Sequence, residues 1–408
     1  MASSSSHTKS GYENITNLLR LCWVLLTISS FPFLSSSKST YSEPESQDPS
    51  SPSSAISRFQ QYLRINTAHP NPQYSEAADF ILSQANSLSL HSQTLEFVPG
   101  KPLVLLKWPG SDPTLPSILL NSHTDVVPTE DAKWATPPLP PKSTPTAIFT
   151  PEGRRTPRST SLDEKYNVFY GERCSWWLVI KATGAPGHGA KLYDNTAMEN
   201  LMKSIESVWR FRDSQFDLVK SGLKVDSEVI SVNLVFLKAG TPSPTGFVMN
   251  LQPSEAEAGF DVRVSPNADP KSLEKRIAEE WAPASRNMAF EYKQKVPVLD
   301  KFGKPVLTAT DSSNPWWSLL EEAVKDANGT LGKPEIIIGT TDARYFRARG
   351  VPAIGFSPIA NTPILFHDHN EFLNKDEYLK GISVYESIIK AYASYVGHGS
   401  SGISKDEL

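Results

Sequence analysis

Ser117-Ile118-Leu119-Leu120-Asn121-Ser122-His123 is a short apolar run that closes on polar residues, with Thr124-Asp125 directly after it. Such a run reads as a buried strand that delivers its last side chains to a site at its carboxyl end.

Elements of both periods surround this stretch. Trp176-Trp177-Leu178-Val179-Ile180-Lys181, Val229–Leu237 and Glu255–Val264 read as strands. Thr196 opens a capping box with Glu199, after which Ala197, Leu201, Ile205, Val208 and Trp209 recur at helical spacing. Lys271–Trp281 is a further helix, Asn314–Ala327 another opened by Asn-Pro, and Asn374 with Glu377 caps a last helix reaching Val396. Glu335–Ile338 and Ala353–Phe356 are short buried strands. Strands and helices mix over roughly a hundred residues in the middle, the size of a small α+β domain. Residues 137–157 break the order, with seven prolines in 21 positions and Arg154, Arg155 and Arg158 alongside. No strand or helix period survives there.

The whole chain has 408 residues, 40 basic and 44 acidic, for a net charge of −4. At 39% hydrophobic it holds enough apolar residues for a sizeable core and about two domains. The mild acidity, with no basic stripe, excludes nucleic acid as the main partner. Two cysteines, Cys22 and Cys174, exclude a disulfide framework and a Cys-based zinc site. Eight histidines leave His and carboxylate as the metal ligands to look for.

Both ends read as addresses. Leu18–Leu34 is a secretory h-region within residues 1–37, too short and too interrupted by Ser and Pro for a stable membrane span. Residues 35–54 hold ten serines and three prolines, a linker that extends over 38–55. Lys405-Asp406-Glu407-Leu408, in a tail from 397 to 408, is the retrieval tetrapeptide of the endoplasmic reticulum, so the expected location is its lumen. Asn328-Gly329-Thr330 is a glycosylation sequon usable in that compartment.

Four clusters carry chemistry. His123 can ligate a metal while Asp125 orients it, or it can be a core histidine satisfied by a backbone partner. His367-Asp368-His369-Asn370-Glu371 follows an apolar run and has the donors for a metal. His188, between Gly187 and Gly189, can reach out of a loop as a hydrogen-bond donor or belong to an ordinary surface loop. Arg344 can grip a carboxylate with two parallel hydrogen bonds or pair with Asp342.

These clusters, together with Lys133-Trp134, VFYGERCSWW (168–177), GAPGHGAK (184–191), SVNLVFLKAGTPSPTGFVMNLQPSEAEAGFDVRV (231–264), DSSNPWW (311–317), TTDARYFRARGVPAIGFSP (340–358) and TPILFHDHNEF (362–372), are similar to the plant aminoacylases of the M20 zinc peptidase family. The likeness covers most of residues 56–396. It implies an α/β catalytic domain, 56–171 plus 297–396, interrupted by an α+β lid and dimerisation domain over 172–296. It also implies a homodimer. In that family a zinc-bound water, deprotonated by a Glu, attacks the amide carbon of an N-acyl-L-amino acid, releasing a carboxylate and an L-amino acid. By the same resemblance His123 and His367 are zinc ligands and Asp125 orients the first. His188 stabilises the tetrahedral oxyanion, while Asn250 and Arg344 bind substrate.

The resemblance fails over residues 137–161. The family's blocks for the zinc-bridging Asp, the general-base Glu and two further ligands have no counterpart, which implies an internal deletion. Leu162-Asp163-Glu164 imitates one block but stands about ten residues too close to the following strand, leaving Glu164 a solvated acidic turn. The expectation is an aminoacylase by descent whose own activity is doubtful. The alternatives are a non-catalytic isoform that dimerises through its lid, or another amidohydrolase or carboxypeptidase of the family.

Overall fold

The computed structural model describes residues 52–128, 131–133, 147–149, 161–363, 365 and 370–396. His367, the h-region and the tail lie outside them. The chain divides into two compact units, one of Met1–Asn167, Ser318–Gly332 and Ser357–Leu408, the other of Val168–Trp317 and Lys333–Phe356.

In the first unit, helix α1 (Pro52–Arg64) begins inside the expected linker, because Pro52 takes the first helical position, where its missing N–H costs nothing. Helix α2 (Tyr74–Ser87) packs on a hairpin of β1 (His91–Glu96) and β2 (Pro102–Lys107), paired from His91↔Lys107 to Glu96↔Pro102. Ala85 and Leu106 centre its small core, with Ile81, Leu82 and Val104 against them. The hairpin escapes the sequence reading because β1 is polar and exposed at nearly every position.

Residues 117–123 do not form the expected strand. Leu119 is 38% exposed, and the bridge Ala68↔Val126 and the bond from Thr67 Oγ1 to the Thr124 carbonyl (2.6 Å) hold the chain just beyond them. An apolar run becomes a buried strand only when neighbouring strands cover it, and none does among the described residues.

The second unit is built on a four-stranded antiparallel sheet in the order β7-β4-β6-β5. These strands are β4 (Cys174–Thr183), β5 (Ser231–Ala239), β6 (Glu255–Val264) and β7 (Met288–Lys295). Trp176, Leu178, Ile180 and Ala182 alternate along β4, and Ala256, Ala258, Phe260 and Val262 along β6, so one face of the sheet is apolar. Helix α3 (Ala197–Lys220) covers that face with Ala197, Leu201, Ile205 and Val208. Its start is fixed as the sequence predicts. Thr196 accepts from Glu199 N at 3.1 Å, and the Glu199 carboxylate reaches back to Asn195 N at 3.0 Å. Helix α4 (Pro270–Arg276) runs on into a wider turn over Ile277–Trp281, which buries Trp281 completely in the same core. A second small sheet in this unit sets β3 (Val168–Glu172) between the parallel β8 (Glu335–Ile337) and the antiparallel β9 (Gly355–Phe356). Helix α5 (Pro315–Asp326), α6 (Ala343–Arg347) and α7 (Lys375–Ala393) complete the chain, and Asn374 caps α7 by accepting from Asp376 N and Glu377 N.

Candidate functional site

Within the second unit the chain brings His188 and Asn250 together. Gly187 and His188 pair antiparallel with Gln252 and Leu251, and Gly189 N donates to the Asn250 carbonyl at 2.8 Å. A side chain on Gly189 would press on the Asn250 backbone at 3.4 Å, while one on Gly187 would overlap the Tyr193 hydroxyl. The imidazole of His188 is exposed, and its Nδ1 accepts from Ala190 N at 3.1 Å. An acceptor at Nδ1 places the ring proton on Nε2, so the outward nitrogen is a donor. This is the hydrogen-bonding role that an oxyanion requires.

Arg344 stands in the first turn of α6. Its Nη1 donates to the Thr341 carbonyl at 2.7 Å and Nη2 to the Tyr345 hydroxyl at 2.9 Å, with the guanidinium 4.4 Å from the Tyr345 ring centre. Among the described residues its guanidinium bonds to Thr341 and Tyr345 rather than to Asp342, and its buried Nε has no hydrogen-bond partner there. The turn carrying it is held by a residue the sequence reading passed over. Glu172, at the end of β3, accepts from both the backbone N–H and the hydroxyl of Thr341 and meets Arg347 Nη1 at 3.0 Å. The Glu172 and Arg347 side chains are each only 2% exposed. Burial pushes the Glu172 carboxyl above its ordinary range, against the opposing pull of Thr341 and Arg347. Nothing in the pattern VFYGER sets this glutamate apart from a surface one, beyond its place at the end of an apolar strand.

His123 and Asp125 lie in the first unit, His123 Nδ1 standing 3.0 Å from Asp125 Oδ1 and 2.9 Å from the Asp125 carbonyl. Their side chains are 47% and 60% exposed. A carboxylate on Nδ1 is the arrangement that orients a metal-binding imidazole. Two donors do not make a zinc centre, however, and no group of three or more His, Cys, Asp or Glu converges among the described residues. The described residues therefore do not fit the zinc ions expected here. Glu164 is exposed, in a turn where Asp163 Oδ1 accepts from Lys165 N at 2.9 Å. His367 lies outside the described residues; Glu371, the last residue of its cluster, is buried. Cys174 is buried, its thiol donates to the Pro297 carbonyl at 3.3 Å, and burial pushes that thiol up to about 12, so it is protonated at ordinary pH.

Residues 193–391 match the model of peptidase family M20/M25/M40. The chain is 36% identical to mouse (Mus musculus) aminoacylase-1 across 87% of its own length and 98% of that protein's. It is 34% identical to the human (Homo sapiens) aminoacylase-1, across 86% and 97%. Among solved structures, the aminopeptidase PepT of Bacillus cereus superposes with a TM-score of 0.58 at 12% identity, over 84% of this chain and 99% of that one, and shares its fold. By descent and by fold alike, this chain belongs to the M20 peptidase family of hydrolases, in its aminoacylase-1 branch.

Proposed function

We propose that this chain descends from zinc-dependent aminoacylases acting on N-acyl-L-amino acids, and that it keeps their substrate-facing groups but lacks a competent metal centre. The observation that carries the reading lies in the sequence, where the blocks bearing His123, His188, Asn250 and Arg344 are present while the family's blocks for the bridging Asp, the general-base Glu and two further ligands have no counterpart over residues 137–161. His188, Asn250 and Arg344 are also held in place by hydrogen bonds. Two zinc ions about 4 Å apart need a bridging carboxylate to offset their repulsion, and hydrolysis needs a base for the metal-bound water. An internal deletion accounts for both losses. It is supported by the pairing with the mouse protein, which runs over 417 positions, more than the 408 residues here, yet takes in only 87% of them. The match therefore spans positions of the relative that this chain skips.

Without its own centre the chain acts as a dimer partner through the lid. Edge strand β5 supports this, with Val235, Phe236 and Leu237 between 42% and 61% exposed along an unpaired border of the sheet. We place the chain in the lumen of the endoplasmic reticulum, on the h-region and the Lys405–Leu408 tetrapeptide.

The test is turnover by the purified chain at saturating zinc, with N-acetyl-L-methionine and a dipeptide as substrates and metal content measured alongside. The expected result is no turnover and far less than two zinc ions per chain. Zinc-dependent release of methionine would overturn the incomplete centre and leave the aminoacylase assignment standing. Preference for the dipeptide would assign a peptidase activity instead. Sequencing the transcript across codons 135–165 tests the deletion directly.

A further inference from the structure

The turn after α5 presents a modification site that the hydrolytic chemistry does not use. Asn328 follows the last residues of the helix in the left-handed conformation (φ 58°), the usual way for a non-glycine residue to end a helix. Its backbone is satisfied, Asn328 N donating to the Lys325 carbonyl at 2.9 Å and Gly329 N to the Val324 carbonyl at 2.8 Å. The inner side of the turn is closed, because a side chain on Gly329 would run into the Tyr166 ring at 2.6 Å. Asn328 and Thr330, on either side of that glycine, are both exposed. Tyr166 N also donates to the Thr330 carbonyl at 2.8 Å, so the backbone holds the sequon out without help from its side chains.

We propose that Asn328 is an acceptor for an N-linked glycan, which the folded chain carries on its surface at no cost in packing. The proposal rests on lumenal placement of the chain, and its donor is an oligosaccharide carried on a lipid pyrophosphate. The Asn328 side-chain nitrogen bonds to the anomeric carbon of the sugar and loses one proton. The bond from that carbon to the pyrophosphate oxygen breaks, and the lipid pyrophosphate leaves with the electron pair. A second sequon, Asn14-Ile15-Thr16, precedes the h-region and is removed in the test by N14Q.

The full-length N14Q chain, synthesised in the presence of microsomes from the endoplasmic reticulum, should migrate as one heavier species that a glycan-removing endoglycosidase returns to the unmodified position. Adding either N328Q or T330A should abolish the shift; T330A leaves the asparagine in its left-handed turn and so preserves the fold. A chain protected from added protease but unshifted overturns the glycan and leaves the lumenal placement standing. A chain wholly open to protease overturns both.

Discussion

The backbone N–H of Ala190 donates to Nδ1 of His188 at 3.1 Å, so the loop fixes the tautomer of its only imidazole. In the neutral ring the proton must reside on Nε2, pointing away from the loop. Nitrogen-detected NMR of the imidazole should show the Nε2–H tautomer dominant. Ala190→Pro removes the donor, and a mixture of tautomers should then appear. An Nδ1–H tautomer in the unaltered chain contradicts the assigned role.

Glu172 and Arg347 form a buried pair whose members depend on each other. Glu172→Gln keeps the shape but leaves the guanidinium without its counter-charge, at a cost of about 3–5 kcal/mol. Replacing both by leucine should cost far less, because burying two charges is itself expensive. Urea denaturation of the two single variants and the double variant measures the difference. The Thr341 turn loses its anchor in Glu172→Leu, so exchange of the Thr341 amide should quicken in that variant.

The same carboxyl makes stability depend on pH. Its folded-state affinity for protons is raised by burial, so over the interval above the ordinary glutamate range the folded chain binds more protons than the unfolded one. The stabilising contribution is complete at pH values below the unfolded carboxyl's range and declines as pH rises through the folded one. The midpoint denaturant concentration of Glu172→Gln, which cannot titrate there, should show a correspondingly flatter profile than that of the unaltered chain.

Local signals survived the passage from sequence to structure because they are settled within a few residues. Thr196 with Glu199 and Asn374 with Glu377 start helices where their side chains reach the first turns. The alternation in 174–183 and 255–264 gives strands because one sheet face is covered by α3. Residues 117–123 were illegible for the opposite reason. Whether an apolar run becomes a strand is decided by its neighbours, and whether any of the described residues would cover it cannot be read from the run itself. The loop bearing His188 was legible through its two glycines, whereas the clamp on the Arg344 turn was not. Glu172 and Thr341 are 169 positions apart in the chain, and no local pattern links them.

The cap on α3 gives a prediction of modest size. Thr196→Ala leaves the Glu199 amide without its acceptor at 3.1 Å, in a helix that covers one whole face of the sheet. The loss should be about 1 kcal/mol, recovered almost fully by serine, which presents the same hydroxyl oxygen. Thermal unfolding of the two variants checks the ranking. Equal losses for alanine and serine would show that the threonine methyl, not the cap, matters at this position.

Gly187 couples the His188 loop to Tyr193. A Cβ at position 187 would stand 1.9 Å from the Tyr193 hydroxyl oxygen and 2.5 Å from its ring carbon, so one of the two must move. The colliding atoms are the far end of a half-buried side chain that can swing outward, which holds the cost of Gly187→Ala near 1 kcal/mol, the low end for overpacking. If the ring yields, the antiparallel pairing of His188 with Leu251 persists and the Gly189 to Asn250 bond stays closed. If the loop yields, both open and His188 loses its fixed direction. Tyr193→Ala removes the obstacle, so Gly187→Ala should be close to neutral in that background, a coupling that a double-mutant cycle reads directly. Backbone amide exchange at Gly189 then distinguishes the two responses, because only displacement of the loop exposes that N–H to solvent.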